Sequence, residues 1–192
     1  MTNIQVADAA HLGGNILEGD PLTYSPTVWD YLIRRFSLRS VMDLGSGIGH
    51  AAEYFFTMGV RVVAVEGLRQ NVDAAVFPTI QHDLETGPVH TRVDLVHCQE
   101  VAEHIEERFV DNLIESMCCG RYILMTHALP GQFGHHHVNL KPPKYWTDLM
   151  AKRGCSLLIE DTSRVRKFAK ADGAKWLAET GMLFANNAGL SS

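Results

Sequence analysis

The segment Val41-Met-Asp-Leu-Gly-Ser-Gly-Ile-Gly-His50 constrains this chain more than any other. An apolar run ends in an acid, glycine recurs at alternate positions, and an amphipathic stretch follows. That pattern reads as a buried strand, a tight loop and a helix start. The glycines permit positive φ and let a ligand approach backbone with no Cβ in the way. No Gly-Lys-Ser/Thr follows, so a triphosphate-gripping loop is not indicated. The residues point to a nucleotide-like ligand, and from spacing alone a dinucleotide stays open.

The rest of the chain alternates strands and helices. Helices are expected at Val28–Phe36, His50–Met58, Leu68–Val76, Ile105–Met117, Lys144–Arg153 and Val165–Thr180. Strands are expected at Ser40–Leu44, Val60–Val65, Thr79–His82, Val93–His97, Arg121–Thr126, Ser156–Ile159 and Met182–Asn186. Thr27 is the expected N-cap of the first helix, with Trp29, Leu32, Ile33 and Phe36 on its inner face. Ala51, Ala52, Phe55 and Phe56 are expected inward on the second. The near-continuous β-branched run Val60–Val65 suits a strand covered on both faces. The fold class is therefore α/β: a three-layer sandwich with a seven-stranded, mostly parallel sheet. In such sheets ligands bind beyond the carboxyl ends of the strands.

The chain's 192 residues suit one domain, 1–192, with a sizeable core. Residues 1–27 are turn-rich and form an arm, with Ile16 and Leu17 pinning it to the body. A net charge of -5 disfavours non-specific binding to long nucleic acid or to an anionic membrane. Neither a signal peptide nor a membrane span is expected. The four cysteines show no zinc-ligand or disulfide spacing, so free thiols in a cytoplasmic setting are expected.

Candidate ligand contacts sit at strand ends. Glu66 closes the second strand where a ribose-binding acid belongs. Asp83 either accepts from an adenine amino group or caps a turn, with Leu84 packing on the ring. His97-Cys-Gln-Glu-Val-Ala-Glu-His104 follows the fourth strand, beneath the centre of such a ligand.

These motifs together resemble the class I S-adenosylmethionine-dependent methyltransferases, whose fold is Rossmann-like. Asp43-Leu-Gly-Ser-Gly-Ile-Gly49 is similar to the first family motif, with Ser46 where cysteine or threonine is common. Glu66 resembles the ribose-gripping acid, Asp83-Leu84 the adenine-side motif, and Cys98 to His104 the segment after strand four. The resemblance runs from about Val41 to Gly154. It implies S-adenosylmethionine as cofactor, held by Asp43, Gly45, Ser46, Gly47, Glu66, Gly67, Asp83, Leu84, Cys98 and Gln99. Asp43 would lie near the cofactor amine, and Gln99 or the backbone at Cys98 would hold the amino-acid part. Glu100 would be a secondary contact or a helix cap. Met125 to Asn139, followed by Tyr145-Trp146, further resembles small methyltransferases of phages and environmental bacteria.

The acceptor is read from the polar loop after strand five, which carries His127, His135, His136 and His137. An imidazole suits a general base near neutrality. His127, closest to the strand end, is the first candidate, then His136, with His104 orienting the acceptor or pairing with Glu100. Adjacent histidines point in different directions, so no metal is expected. Tyr24 and Trp29 would close the cleft, with the arm as a lid over the cofactor. No Asn/Asp-Pro-Pro-aromatic segment is present, so a small-molecule or glycan-precursor acceptor, methylated on oxygen, is expected from a monomer or homodimer. The competing class, an NAD(P)-dependent oxidoreductase, wants a Tyr-x-x-x-Lys pair. Tyr54 and Tyr122 lack the lysine, and Tyr145 is followed by Leu149. A third reading is a non-catalytic, cofactor-binding partner subunit.

Overall fold

Strand β1 (Ser40–Leu44) lies at the centre of one sheet, between β2 (Arg61–Glu66) and β4 (Val93–Cys98). The structure, a computed structural model, describes residues 10–12 and 18–190. With β3 (Thr79–Gln81), β5 (Gly120–Met125), β6 (Cys155–Leu157) and β7 (Met182–Asn186), the sheet has seven strands in the order β3-β2-β1-β4-β5-β7-β6. Strands β1 to β5 are parallel, and β7 runs antiparallel to both β5 and β6.

Both faces of the central strands are buried, and their side chains alternate between two cores. Met42, Val96 and Ile123 face one core, with Leu113 and Met117 of α4 (Val110–Met117) and Trp146 and Met150 of α5 (Pro143–Lys152). Val41, Leu95 and Leu124 face the other, with Trp29 and Leu32 of α1 (Pro26–Phe36), Phe55 of α2 (His50–Thr57) and Val165 of α6 (Ile159–Asp172). This is the three-layer α/β sandwich, and it explains why these strands read as continuous apolar runs. Two shorter helices, α3 (Arg69–Ala74) and α7 (Lys175–Thr180), complete the layers ahead of the terminal α8 (Asn187–Leu190).

Several local expectations change. Helix α1 starts at Pro26, not at Val28, so Ser25 rather than Thr27 holds the N-cap position. The carboxylate of Asp172, at the end of α6, caps it from outside by accepting from Ser25 Oγ, Thr27 N and Thr27 Oγ1 at 2.8, 3.0 and 2.6 Å. Asp161 of α6 ties the same two helices by accepting from Tyr31 and Arg35. Phe56 is 61% exposed, because two consecutive helical residues lie about 100° apart and Phe55 already takes the inward position. Ile159 opens α6 rather than closing β6, and the long helix expected to Thr180 divides at Gly173. A 3-10 turn, Glu107–Phe109, precedes α4, which therefore begins later than its apolar spacing suggested. The pinning role of Ile16 and Leu17 lies outside the described residues. Among those residues no helix is long and apolar enough to cross a membrane.

Candidate functional site

The strand order reverses direction between β1 and β4, and a cleft opens beyond their carboxyl ends. It has a volume of about 750 Å³, within the range of small-molecule sites. Asp43, Gly45, Ser46, Gly47, Glu66, Gly67, Asp83, Leu84 and Gln99 all line it. Residues separated by more than fifty positions thus meet at one place.

The glycine loop is stitched to β2. Gly45 N and Ser46 N donate to the Val65 carbonyl at 2.8 and 2.9 Å. Glu66 Oε2 accepts from Gly47 N and Oε1 from Leu68 N, each at 2.8 Å. Burial pushes the Glu66 carboxyl above its ordinary value, against those two N–H groups, and the nearby Asp43 adds to the rise. Asn71 takes a third acceptor position on this carboxylate, which leaves one lone pair for a ligand hydroxyl. Gly45 has φ +76°, and a Cβ there would lie 2.2 Å from Val101 Cγ2. Val101 is β-branched and stiff at χ1, so it yields poorly. Gly45→Ala is expected to cost about 2–3 kcal/mol from left-handed strain plus overpacking. Chemical denaturation checks this, and the double variant with Val101→Ala should recover the steric part.

Asp43 is the buried anion of the site. Its Oδ1 accepts from His97 Nδ1 at 2.7 Å, and Trp29 Nε1 donates to His97 Nε2 at 3.3 Å. An indole N–H only donates, so Nε2 accepts and the ring proton sits on Nδ1, facing the carboxylate. Asp43 Oδ2 is buried with no partner, and so are both amide atoms of Gln99. An unpaired carboxylate oxygen and an unpaired amide in one cleft form a receptor for a group carrying both ammonium and carboxylate. His97 was missed as a site residue. The signal for it is tertiary: β1–β4 pairing sets Asp43 opposite His97 in register.

The other expected residues divide. Cys98 does not line the cleft. It is fully buried beside Met42 and Met125, and burial pushes its thiol up. Strand alternation turns Cys98 into the core, while Gln99, just past the strand end, reaches the ligand side. His127 does not line the cleft either. It is buried behind β5, with its N donating to Thr180 Oγ1 at 3.4 Å and its ring 6.1 Å from that of Trp146. Burial holds its imidazole below the ordinary value. His136, at φ +46°, turns its ring toward His11 at 6.4 Å and stays off the cleft wall. His104 does line the cleft, and burial with the neighbouring His137 lowers it to about 4.

The histidine loop distributes its side chains as the geometry of adjacent residues requires. His135 Nε2 donates to the Ala10 carbonyl at 3.0 Å, so it holds the arm. His137 instead packs edge-on against His104, with ring centroids 5.1 Å apart. The arm also reaches the end of β3, where His11 Nε2 lies 3.0 Å from Asp83 Oδ2. Tyr24 stacks edge-on against Trp29 at 5.0 Å, and both line the cleft. Glu103 was not among the expected site residues, and His137 was named only as one of the loop histidines, with no role of its own. Both stand beside His104, and Glu103 is fully buried. The spacing Glu100-x-x-Glu103-His104 was the available signal.

No family model matches the chain. A curated relative, the ubiquinone biosynthesis O-methyltransferase of Rickettsia typhi, is 27% identical over 104 aligned residues, covering 45% of this chain and 42% of that protein. The fold is similar to human N-acetylserotonin methyltransferase in complex with SAM, at TM-score 0.55 and 14% identity over 84% of this chain and 50% of that one. TehB from Haemophilus influenzae superposes at TM-score 0.56 and 15% identity, covering 70% of this chain and 52% of that one. Magnesium protoporphyrin IX methyltransferase from Synechocystis, with bound SAH, reaches TM-score 0.56 at 16% identity over 68% and 71%. This chain therefore spans about half the length of several proteins it matches. The likenesses establish the Rossmann-like methyltransferase fold.

Proposed function

We propose that this chain is an S-adenosylmethionine-dependent methyltransferase acting on a small-molecule acceptor, with oxygen as the methylated atom. The observation that carries the reading is the unpaired, buried Oδ2 of Asp43 between the glycine loop and the unpaired amide of Gln99. A carboxylate there suits the cofactor's ammonium, Gln99 suits its carboxylate, and Glu66 suits the ribose hydroxyls. In the reaction the acceptor oxygen attacks the sulfonium methyl in line. The C–S bond breaks, S-adenosylhomocysteine leaves, and the acceptor's proton passes to base or solvent. The donor is intrinsically reactive, so the protein contributes alignment and desolvation. The enclosing cleft and the O-methyltransferase relative support a small hydroxyl acceptor. Kinship with the small phage and environmental bacterial methyltransferases rests on the Met125 to Asn139 segment.

Calorimetry with S-adenosylmethionine, S-adenosylhomocysteine and NAD tests the donor. The first two should bind and NAD should not. NAD binding with none for the adenosyl sulfonium would sink the reading. A labelled-methyl screen of metabolite extracts then finds the acceptor.

The arm acts in this reading as a lid on the cofactor. Its His11–Asp83, Ala10–His135 and Tyr24–Trp29 contacts all bridge it to cleft residues. Removing residues 1–24 should weaken cofactor binding about tenfold, the loss of one or two exposed hydrogen bonds. Calorimetry of the truncated chain reads this directly. Unchanged affinity would mean the arm covers nothing.

A further inference from the structure

We infer that Glu103, His104 and His137, with Glu100 beside them, form a site for one divalent transition-metal ion of the manganese, iron, cobalt or zinc class. One ligand atom from each of the first three lies within 4.8 Å of the others. Both carboxylate oxygens of Glu103 are fully buried with no N–H or O–H donor in reach, and the side chain that meets them is the second carboxyl, Glu100. His104 Nδ1 is likewise buried and unpartnered. A bare buried carboxylate costs several kcal/mol unless a proton or a cation joins it. A cation held between Glu103 and the two imidazoles supplies that charge.

The surroundings fix these groups as ligands. His137 Nδ1 lies 2.9 Å from the Gln132 carbonyl, which can only accept, so Nδ1 carries the proton and Nε2 keeps its lone pair. A Cβ on Gly134 would lie 2.3 Å from His137 Nε2, so that glycine makes the ring's position possible. Val138 N and Asn139 N both donate to the Glu103 carbonyl, at 2.9 and 3.1 Å, clamping the loop that bears His137 onto the segment that bears Glu103 and His104. Glu100 is held at φ +58°, accepts from Thr126 Oγ1 at 2.8 Å, and sets its carboxyl against that of Glu103. Strain of this kind collects at ligand sites. Two imidazoles beside carboxylates select transition metals over magnesium.

Glu100, His104 and His137 also line the cleft, so the open side of the ion faces it. That the ion acidifies an acceptor hydroxyl rests on the methyltransferase reading. The site itself rests on its ligands alone.

The test is calorimetry on the full chain, stripped with chelator and titrated separately with Mn²⁺, Zn²⁺ and Mg²⁺, with Mn²⁺ paramagnetic resonance as a second readout. A single tight site for Mn²⁺ or Zn²⁺ is expected, with Mg²⁺ weaker by at least about tenfold. Glu103→Gln, which preserves shape, and His137→Gln should each abolish it. S-adenosylmethionine is titrated into the same samples to report an intact fold. Absence of any tight cation site in the unaltered chain overturns the inference, because Glu100 and Glu103 then share a proton instead. Binding that persists undiminished in both variants overturns it as well. Cation binding without S-adenosylmethionine binding sinks the methyltransferase reading and leaves this site standing, and the opposite result does the reverse.

Discussion

Replacing Asp43 with asparagine should weaken cofactor binding roughly 100-fold, about 3 kcal/mol. The carboxylate has two duties. Its Oδ1 accepts from His97 Nδ1–H at 2.7 Å, and its Oδ2 is buried and free. Asparagine offers one acceptor and one donor. If its oxygen stays on His97, the NH₂ group meets the cofactor ammonium. If the oxygen turns to the cleft, the NH₂ meets the His97 N–H. Donor faces donor either way. The Trp29 indole closes the remaining escape by occupying His97 Nε2. Calorimetry should find S-adenosylmethionine and S-adenosylhomocysteine weakened alike, since both keep the ammonium. A larger loss for the sulfonium form would move Asp43's role to the sulfur. A change within about threefold for both, less than one lost hydrogen bond, would remove Asp43 from the site altogether.

Glu66→Ala should lower both stability and affinity. Gly47 N and Leu68 N lose their acceptors, at a cost of about 1–3 kcal/mol for the pair, reduced where water replaces the carboxylate. The glycine loop then loses one of its ties to β2. Glu66→Gln keeps one acceptor oxygen and should fall between the two. The more specific readout is sugar discrimination. The unaltered chain should prefer adenosine over 2′-deoxyadenosine, and Glu66→Ala should lose that preference. If the preference survives, the ribose hydroxyls are held elsewhere, and Glu66 is only a loop anchor.

The residues of these two predictions were legible for a local reason. Asp43, Gly45, Glu66, Asp83 and Gln99 each stand at or just past the end of an apolar strand. In a parallel sheet all such ends open at one edge, so a linear reading already gathers them. Helix boundaries were less legible. Gly173 divides α6 from α7, and Asp172 caps α1 from a distant part of the chain, which no local pattern announces.

The histidines show the limit most clearly. Nearness to a strand end points to His127, yet the chain turns it behind β5 against Trp146. The loop that follows sends His135 and His136 toward the arm and His137 toward Glu103 and His104. Consecutive side chains must diverge, but which one meets which partner depends on the path of the loop.

By itself the sequence determined the layer architecture, the edge of the sheet where the cleft opens, and the acids and glycines that stand there. Those follow from periodicity and turn chemistry, which act over a few residues. Only the tertiary structure decided that Asp43 pairs with His97, that Cys98 faces the core while Gln99 faces the cleft, and that Glu103 and His137 converge. Those depend on strand register, on the alternation of side chains about the strand, and on loop closure between distant segments.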